Sequence, residues 1–149
     1  HRGDDEQSLQ ETYAAMRAKV RESFAVFAAR LPVGQGDHRL MGTSGTVTTL
    51  ASVYLNLPSY DRRQIDGLHL PTSAMREISQ TLASRPPKGR AEFPTIGHER
   101  ADLVVAGCAI LETIFDIWPG ERLGVADRGI REGILRALMA SDARRRKRR

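Results

Sequence analysis

Cysteine is nearly missing from this chain. Cys108 is the only one, which excludes an internal disulfide framework and any zinc or iron–sulfur site built from several thiolates. A reducing, cytoplasmic setting fits that usage. No run of about 18 apolar residues occurs, so no membrane-spanning helix and no membrane partner are expected. The four histidines, His1, His38, His69 and His98, lack metal-ligand spacing. The opening residues His1-Arg2-Gly3-Asp4-Asp5 offer neither a signal peptide nor an initiating Met, and the chain is expected to be a fragment or a processed product.

Excess charge is also missing from the body of the chain, although the net charge is +5. Arg144 to Arg149 are all Arg or Lys; without those six, 17 of the 23 basic residues remain against 18 acidic ones. The body is therefore close to neutral, and the basicity is a tail. A domain that grips nucleic acid across its folded surface would carry the excess on the body. The 149 residues suffice for one domain with a substantial core.

What is present begins with a helical period. Leu9, Tyr13, Met16, Val20, Phe24, Phe27 and Leu31 recur at steps of three and four, which predicts one helix over 5–31, ended by Pro32 and Gly34. Small residues such as Ala14, Ala18 and Ala25 widen the stripe, so ordinary core packing is favoured over a coiled-coil seam. His38-Arg39-Leu40-Met41 reads as a short strand, Gly42-Thr43-Ser44-Gly45-Thr46 as a turn, and Val47 to Leu55 as an apolar helix: a βα unit. A turn-rich connector over 58–71 contains an extended Leu68-His69-Leu70. A helix from Ser73 to Ala83, capped by Thr72 or Ser73, ends at Arg85-Pro86-Pro87-Lys88-Gly89. Gly97 to Trp118 reads as one buried helix. Arg122 to Ala126 forms a strand, and a helix from Ile130 to Ala140 with a buried face of Ile130, Ile134, Leu135 and Leu138 completes a second βα unit.

Three segments could carry chemistry. In Gly42–Thr46 two glycines allow close backbone approach, three hydroxyls can donate, and the following helix offers free N–H groups at its positive end, a combination suited to phosphate. The alternative is a plain βα turn with Ser44 or Thr46 as N-cap. In His98-Glu99-Arg100-Ala101-Asp102 the acids suit a helix start, whereas Arg100 near the positive end needs an anion. Either a phosphate or a salt bridge to Glu99, Asp102 or another acid would supply it. In Asp127-Arg128-Gly129, Asp127 is expected to cap the last helix, with Arg128 and Arg131 solvated; facing the first loop's site is the alternative. Cys108, mid-helix among apolar residues, is expected to pack rather than react, and Arg62-Arg63 to lie in a solvated loop.

These residues resemble a known family. Met41-Gly42-Thr43-Ser44-Gly45-Thr46-Val47-Thr48-Thr49-Leu50, Tyr60-Asp61-Arg62-Arg63 with Asp66-Gly67, Glu99 to Glu112, and Val125-Ala126-Asp127-Arg128-Gly129-Ile130-Arg131-Glu132-Gly133 together resemble the exopolyphosphatase / guanosine pentaphosphate phosphohydrolase family. The resemblance implies a helix-rich α/β fold: a partial ribonuclease H-like domain of the actin-like, sugar-kinase-like ATPase superfamily. Residues 1–140 would be the C-terminal part of its second domain, and 141–149 a disordered basic tail. It implies a phosphate-facing Gly42, Thr43, Ser44, Gly45 and Thr46, and Arg100 as a phosphate ligand.

The family's Asp-x-Gly-Gly-Gly-Ser loop and general-base glutamate have no counterpart in these 149 residues. The resemblance therefore implies that catalysis needs a missing N-terminal part and magnesium held by ligands outside this chain. The implied substrates are polyphosphate or guanosine pentaphosphate. An incomplete sheet would expose an edge, so self-association, as in a homodimer, is expected. Two other readings stand beside this one: a noncatalytic phosphate or nucleotide sensor, and a module binding RNA or another polyanion through Arg144–Arg149.

Overall fold

The computed structural model describes residues 6–31 and 39–146. Its first element, helix α1 (Glu6–Arg30), agrees with the predicted 5–31 to within a residue at each end. The stripe is shallower than core packing implies, because only Tyr13 is buried while Phe27 and Leu31 stay half exposed. Phe24 and Phe27 instead meet the Trp118 ring edge-on, with centroids 6.2 and 5.8 Å away. The Trp118 indole N–H donates to Leu31 O at 2.9 Å, fastening the end of α1.

Strand β1 (Leu40–Gly42) leads through Thr43 and Ser44 into helix α2 (Gly45–Tyr54), which begins two residues earlier than predicted. The predicted strand start at His38 lies outside the described residues. Helix α3 (Arg62–Ile65) is a single turn capped by Asp61, followed by strand β2 (His69–Pro71) and helix α4 (Thr72–Ala83). Neither Thr72 nor Ser73 caps α4. The N-cap is Pro71, without a side-chain bond, and the Thr72 hydroxyl donates to Gly120 O at 2.6 Å, tying α4 to the strand that follows.

The Pro-rich breaker after α4 forms a short helix of its own, α5 (Pro87–Ala91). The helix predicted over Gly97–Trp118 is two helices, α6 (Gly97–Arg100) and α7 (Leu103–Ile117), separated by Ala101 and Asp102. Where they part, the buried Arg90 guanidinium donates to the Ala101 carbonyl at 3.2 Å.

Strand β3 (Arg122–Val125) is the middle of the sheet, ordered β1-β3-β2. It runs parallel to β1, with Leu40 opposite Leu123 and Gly42 opposite Val125, and antiparallel to β2. Helix α7 packs against α1 and α4, and the core gathers Leu50, Met75, Leu82, Cys108, Phe115 and Leu123 around it. Inside this apolar helix Glu112 is 1% exposed, a cost that pairing offsets. Gln80 Nε2 donates to both its oxygens at 3.0 Å, and Arg17 lies 3.2 Å away. One turn on, Asp116 gathers Arg17, Arg21 and Arg76.

Helix α8 (Ile130–Arg146) departs most from expectation. Its predicted buried face is exposed, Ile130 by 82%, Ile134 by 56%, Leu135 by 58% and Leu138 by 60%, because no described element lies over it. The second βα unit is thus a unit in sequence order alone. The helix also runs six residues past the boundary placed at 140, so part of the expected tail continues a regular element.

Candidate functional site

The site is built where β1 gives way to α2. Ser44, extended at φ −85° and ψ 159°, is the N-cap, and its Oγ accepts from Val47 N at 3.4 Å. Inside the first turn, Thr48 Oγ1 donates to Gly45 O at 3.1 Å. The N–H groups of Gly45 and Thr46 open the helix without intrahelical acceptors, at its positive pole. The two glycines do different jobs. A Cβ on Gly42 would sit 2.5 Å from Val47 Cγ2, so glycine there serves close packing, whereas a Cβ on Gly45 would meet nothing within 4 Å.

Arg100, the last residue of α6, approaches this turn from the other side. The break before α7 moves it off the start of the buried helix, where sequence reasoning placed it. It is exposed and forms no ion pair with Glu99, Asp102 or any other acid among the described residues. Two cavities meet at Gly45 and Arg100. The smaller, about 240 Å³, is also lined by Thr46, Thr49, Leu103 and Val104. The larger, about 580 Å³, opens toward Tyr60, Ile96, His98 and Asp127.

Not all of the predicted loop faces Arg100. Gly42, Thr43 and Ser44 line a separate groove of about 320 Å³ between β1 and α7, walled by Met41, Ile110 and Leu123, and Thr46 borders both. The structure thus brings Gly45, Thr46 and Arg100 together and turns the first three loop residues toward an apolar face.

The far wall holds residues whose roles differ from expectation. Asp127 does not cap α8. Its carboxylate pairs with Arg62 Nε at 3.1 Å, and Arg62 Nη2 also donates to its carbonyl. Glu132 takes the capping role, accepting from Gly129 N at 3.0 Å. Arg62 is consequently not a solvated loop residue, and Arg128 leans on Asp66 at 3.6 Å. Partial burial, then the Asp127 carboxylate, push the Tyr60 phenol up to about 12, so it is a neutral donor at neutral pH.

Cys108 sits apart from these cavities, in the core. Cys108 is fully buried, and burial pushes its thiol up to about 11. Among the described residues no group of three His, Cys, Asp or Glu could hold a metal ion. No described helix is long and apolar enough to cross a membrane.

The chain is similar to known proteins along most of its length. The Ppx/GppA phosphatase family model matches residues 3–142. Exopolyphosphatase 2 of Mycobacterium tuberculosis strain H37Rv is 28% identical over 110 residues, 74% of this chain and 34% of that protein. The Aquifex aeolicus member of the Ppx/GppA family superposes with a TM-score of 0.72 at 23% identity over 93% of this chain and 42% of its own. An exopolyphosphatase from Cytophaga hutchinsonii gives 0.73 at 17% identity over 88% and 42%. At those identities the two structures establish the fold alone. The chain spans about a third of the mycobacterial relative's length.

Proposed function

The chain belongs to the Ppx/GppA phosphatase family and carries part of its helix-rich actin-like fold, and we propose that it supplies one phosphate-binding wall of an interdomain cleft. The complete enzyme is a phosphohydrolase that removes the terminal phosphate from inorganic polyphosphate or guanosine pentaphosphate in the cytoplasm. Residues 1–140 form the C-terminal part of its second domain. The observation that carries this reading is Arg100: an exposed guanidinium without a protein anion among the described residues, sharing two cavities with the open N-terminus of α2.

In this reading the N–H groups of Gly45 and Thr46 and the Thr46 hydroxyl donate to phosphate oxygens, while Arg100 neutralises their charge. Gly42, Thr43 and Ser44 set the turn that presents them. Phosphoryl transfer is largely positioning and charge stabilisation, and these donors serve both. The general base lies outside this chain, so the 149 residues alone are inactive. Magnesium, which the family resemblance implies, offsets phosphate charge when bound. In this reading its ligands, like the base, belong to the part of the enzyme outside this chain.

Arg100→Ala in the complete enzyme tests the reading. Loss of a bidentate, charge-assisted contact costs about 1.5–3 kcal/mol, which raises KM for polyphosphate roughly ten- to a hundredfold with the fold intact. Wild-type kinetics in that variant would remove Arg100 from the site.

A further inference from the structure

Arg90 is the one buried arginine among the described residues. It is 6% exposed, and no carboxylate lies within ion-pair distance among the described residues. A cation in that position is costly unless its donors are satisfied, and an apolar residue of similar volume would normally stabilise the fold at least as well. Burial draws its pKa below the usual arginine value against the opposing pull of Asp102. Stability alone gives no reason for arginine here.

What the guanidinium supplies is geometry. Nε donates to Leu82 O at 2.9 Å, and Nη1 to Ala101 O at 3.2 Å. Leu82 lies in the last turn of α4, whose carbonyls form the negative pole of that helix. Ala101 is the buried residue between α6 and α7. A planar fork with fixed donor directions thus bridges two backbones that share no secondary structure. The carbonyl it holds belongs to the residue directly after Arg100. Helix α6 is one turn long and enters through Gly97 at φ +62°, and on its C-terminal side the residue after Arg100 is held by Arg90.

We infer that Arg90 is a positioning residue for the phosphate site, fixing the direction of Arg100 by clamping the Ala101 carbonyl to the end of α4. The inference rests on the proposed role of Arg100. It assigns Arg90 no contact with substrate.

The test is a double-mutant cycle in the complete enzyme with inorganic polyphosphate as substrate, following KM, kcat and Tm. Arg90→Met keeps the volume and removes the donors; Arg90→Lys keeps the charge without the fork and serves if the methionine variant does not fold. The expected result is a KM raised on the order of tenfold in the Arg90 variant, with no further rise when the same substitution is added to Arg100→Ala. A lower Tm with unchanged KM, or a KM effect that multiplies in full with that of Arg100→Ala, would make Arg90 merely structural and overturn the inference. Wild-type KM in Arg100→Ala alone overturns the phosphate role of Arg100 and the inference with it, whereas a raised KM there with an unaffected Arg90 variant overturns the inference only.

Discussion

Gly107 on α7 lies directly against Thr46 in the first turn of α2: a Cβ at position 107 would stand 2.8 Å from Thr46 Cγ2 and closer still to its hydroxyl. Two helices meet there at the edge of the cavity that Arg100 lines. Gly107→Ala forces them apart at the residue whose N–H and hydroxyl are proposed to bind phosphate. The expected outcome is a loss of about 1–3 kcal/mol in chemical denaturation, together with a raised KM for polyphosphate in the complete enzyme.

Gly42 and Gly45 separate packing from binding. Gly42→Ala drives a methyl group into Val47 and is expected to lower Tm. Gly45→Ala meets open space and is expected to leave Tm unchanged or slightly higher, since alanine favours helix. The added methyl stands where phosphate would approach the N–H groups, so KM rises without a stability cost.

Acid sensitivity should centre on Asp116. Partial burial pushes its carboxyl up, but hydrogen bonds from Arg17 and Arg76 outweigh that and hold it below 3.8. A depressed folded-state pKa gives stability that is complete above the unfolded value and lost as pH falls through the folded one. Tm should therefore hold steady from neutral pH to about 5 and decline in stronger acid. Asp116→Asn lowers Tm at pH 7 and flattens that decline.

Cys108 should be silent to thiol reagents. Buried, with its thiol at about 11, it exposes little thiolate at pH 8. Ellman-type labelling is expected only in denaturant, so its rate in native buffer reports opening around α7. Fast stoichiometric labelling without denaturant would contradict the packing described.

Helix α8 and α4 should answer truncation differently in the 149-residue chain. Leu82→Ala, at a fully buried site, is expected to cost about 2–5 kcal/mol. Leu138→Ala, at a site 60% exposed, should stay within about 0.5 kcal/mol. Urea denaturation of both variants makes the comparison.

That contrast marks where sequence reasoning succeeds. The period of Leu9 to Leu31, the glycine-framed turn before α2 and the apolar run of α7 locate these elements because local pattern and final environment agree. Ile130, Ile134 and Leu138 show the same period as a core helix, but period reveals only that an apolar face exists, not what covers it. The division of α6 from α7 was invisible for another reason: it coincides with a hydrogen bond from Arg90, eleven residues upstream. Glu112 was obscured by its apolar neighbours, since its partners Arg17 and Gln80 come from other helices. Of the candidate site, Gly45, Thr46 and Arg100 were legible from turn chemistry and family resemblance. The clustering of Tyr60, Arg62 and Asp127 was not, because it depends on how the connector folds back on β3.

The sheet also sets an order in time. Among the described strands β1 pairs only with β3, Leu40 with Leu123, and Arg17 finds Asp116 99 residues away. Contacts so distant along the chain are slow to form. On the ribosome, where the N-terminal end appears first, α1 and β1 wait for α7 and β3. The turn from β1 into α2 is therefore synthesised before its partners and settled only after them, which makes it a measure of whether the whole unit has folded.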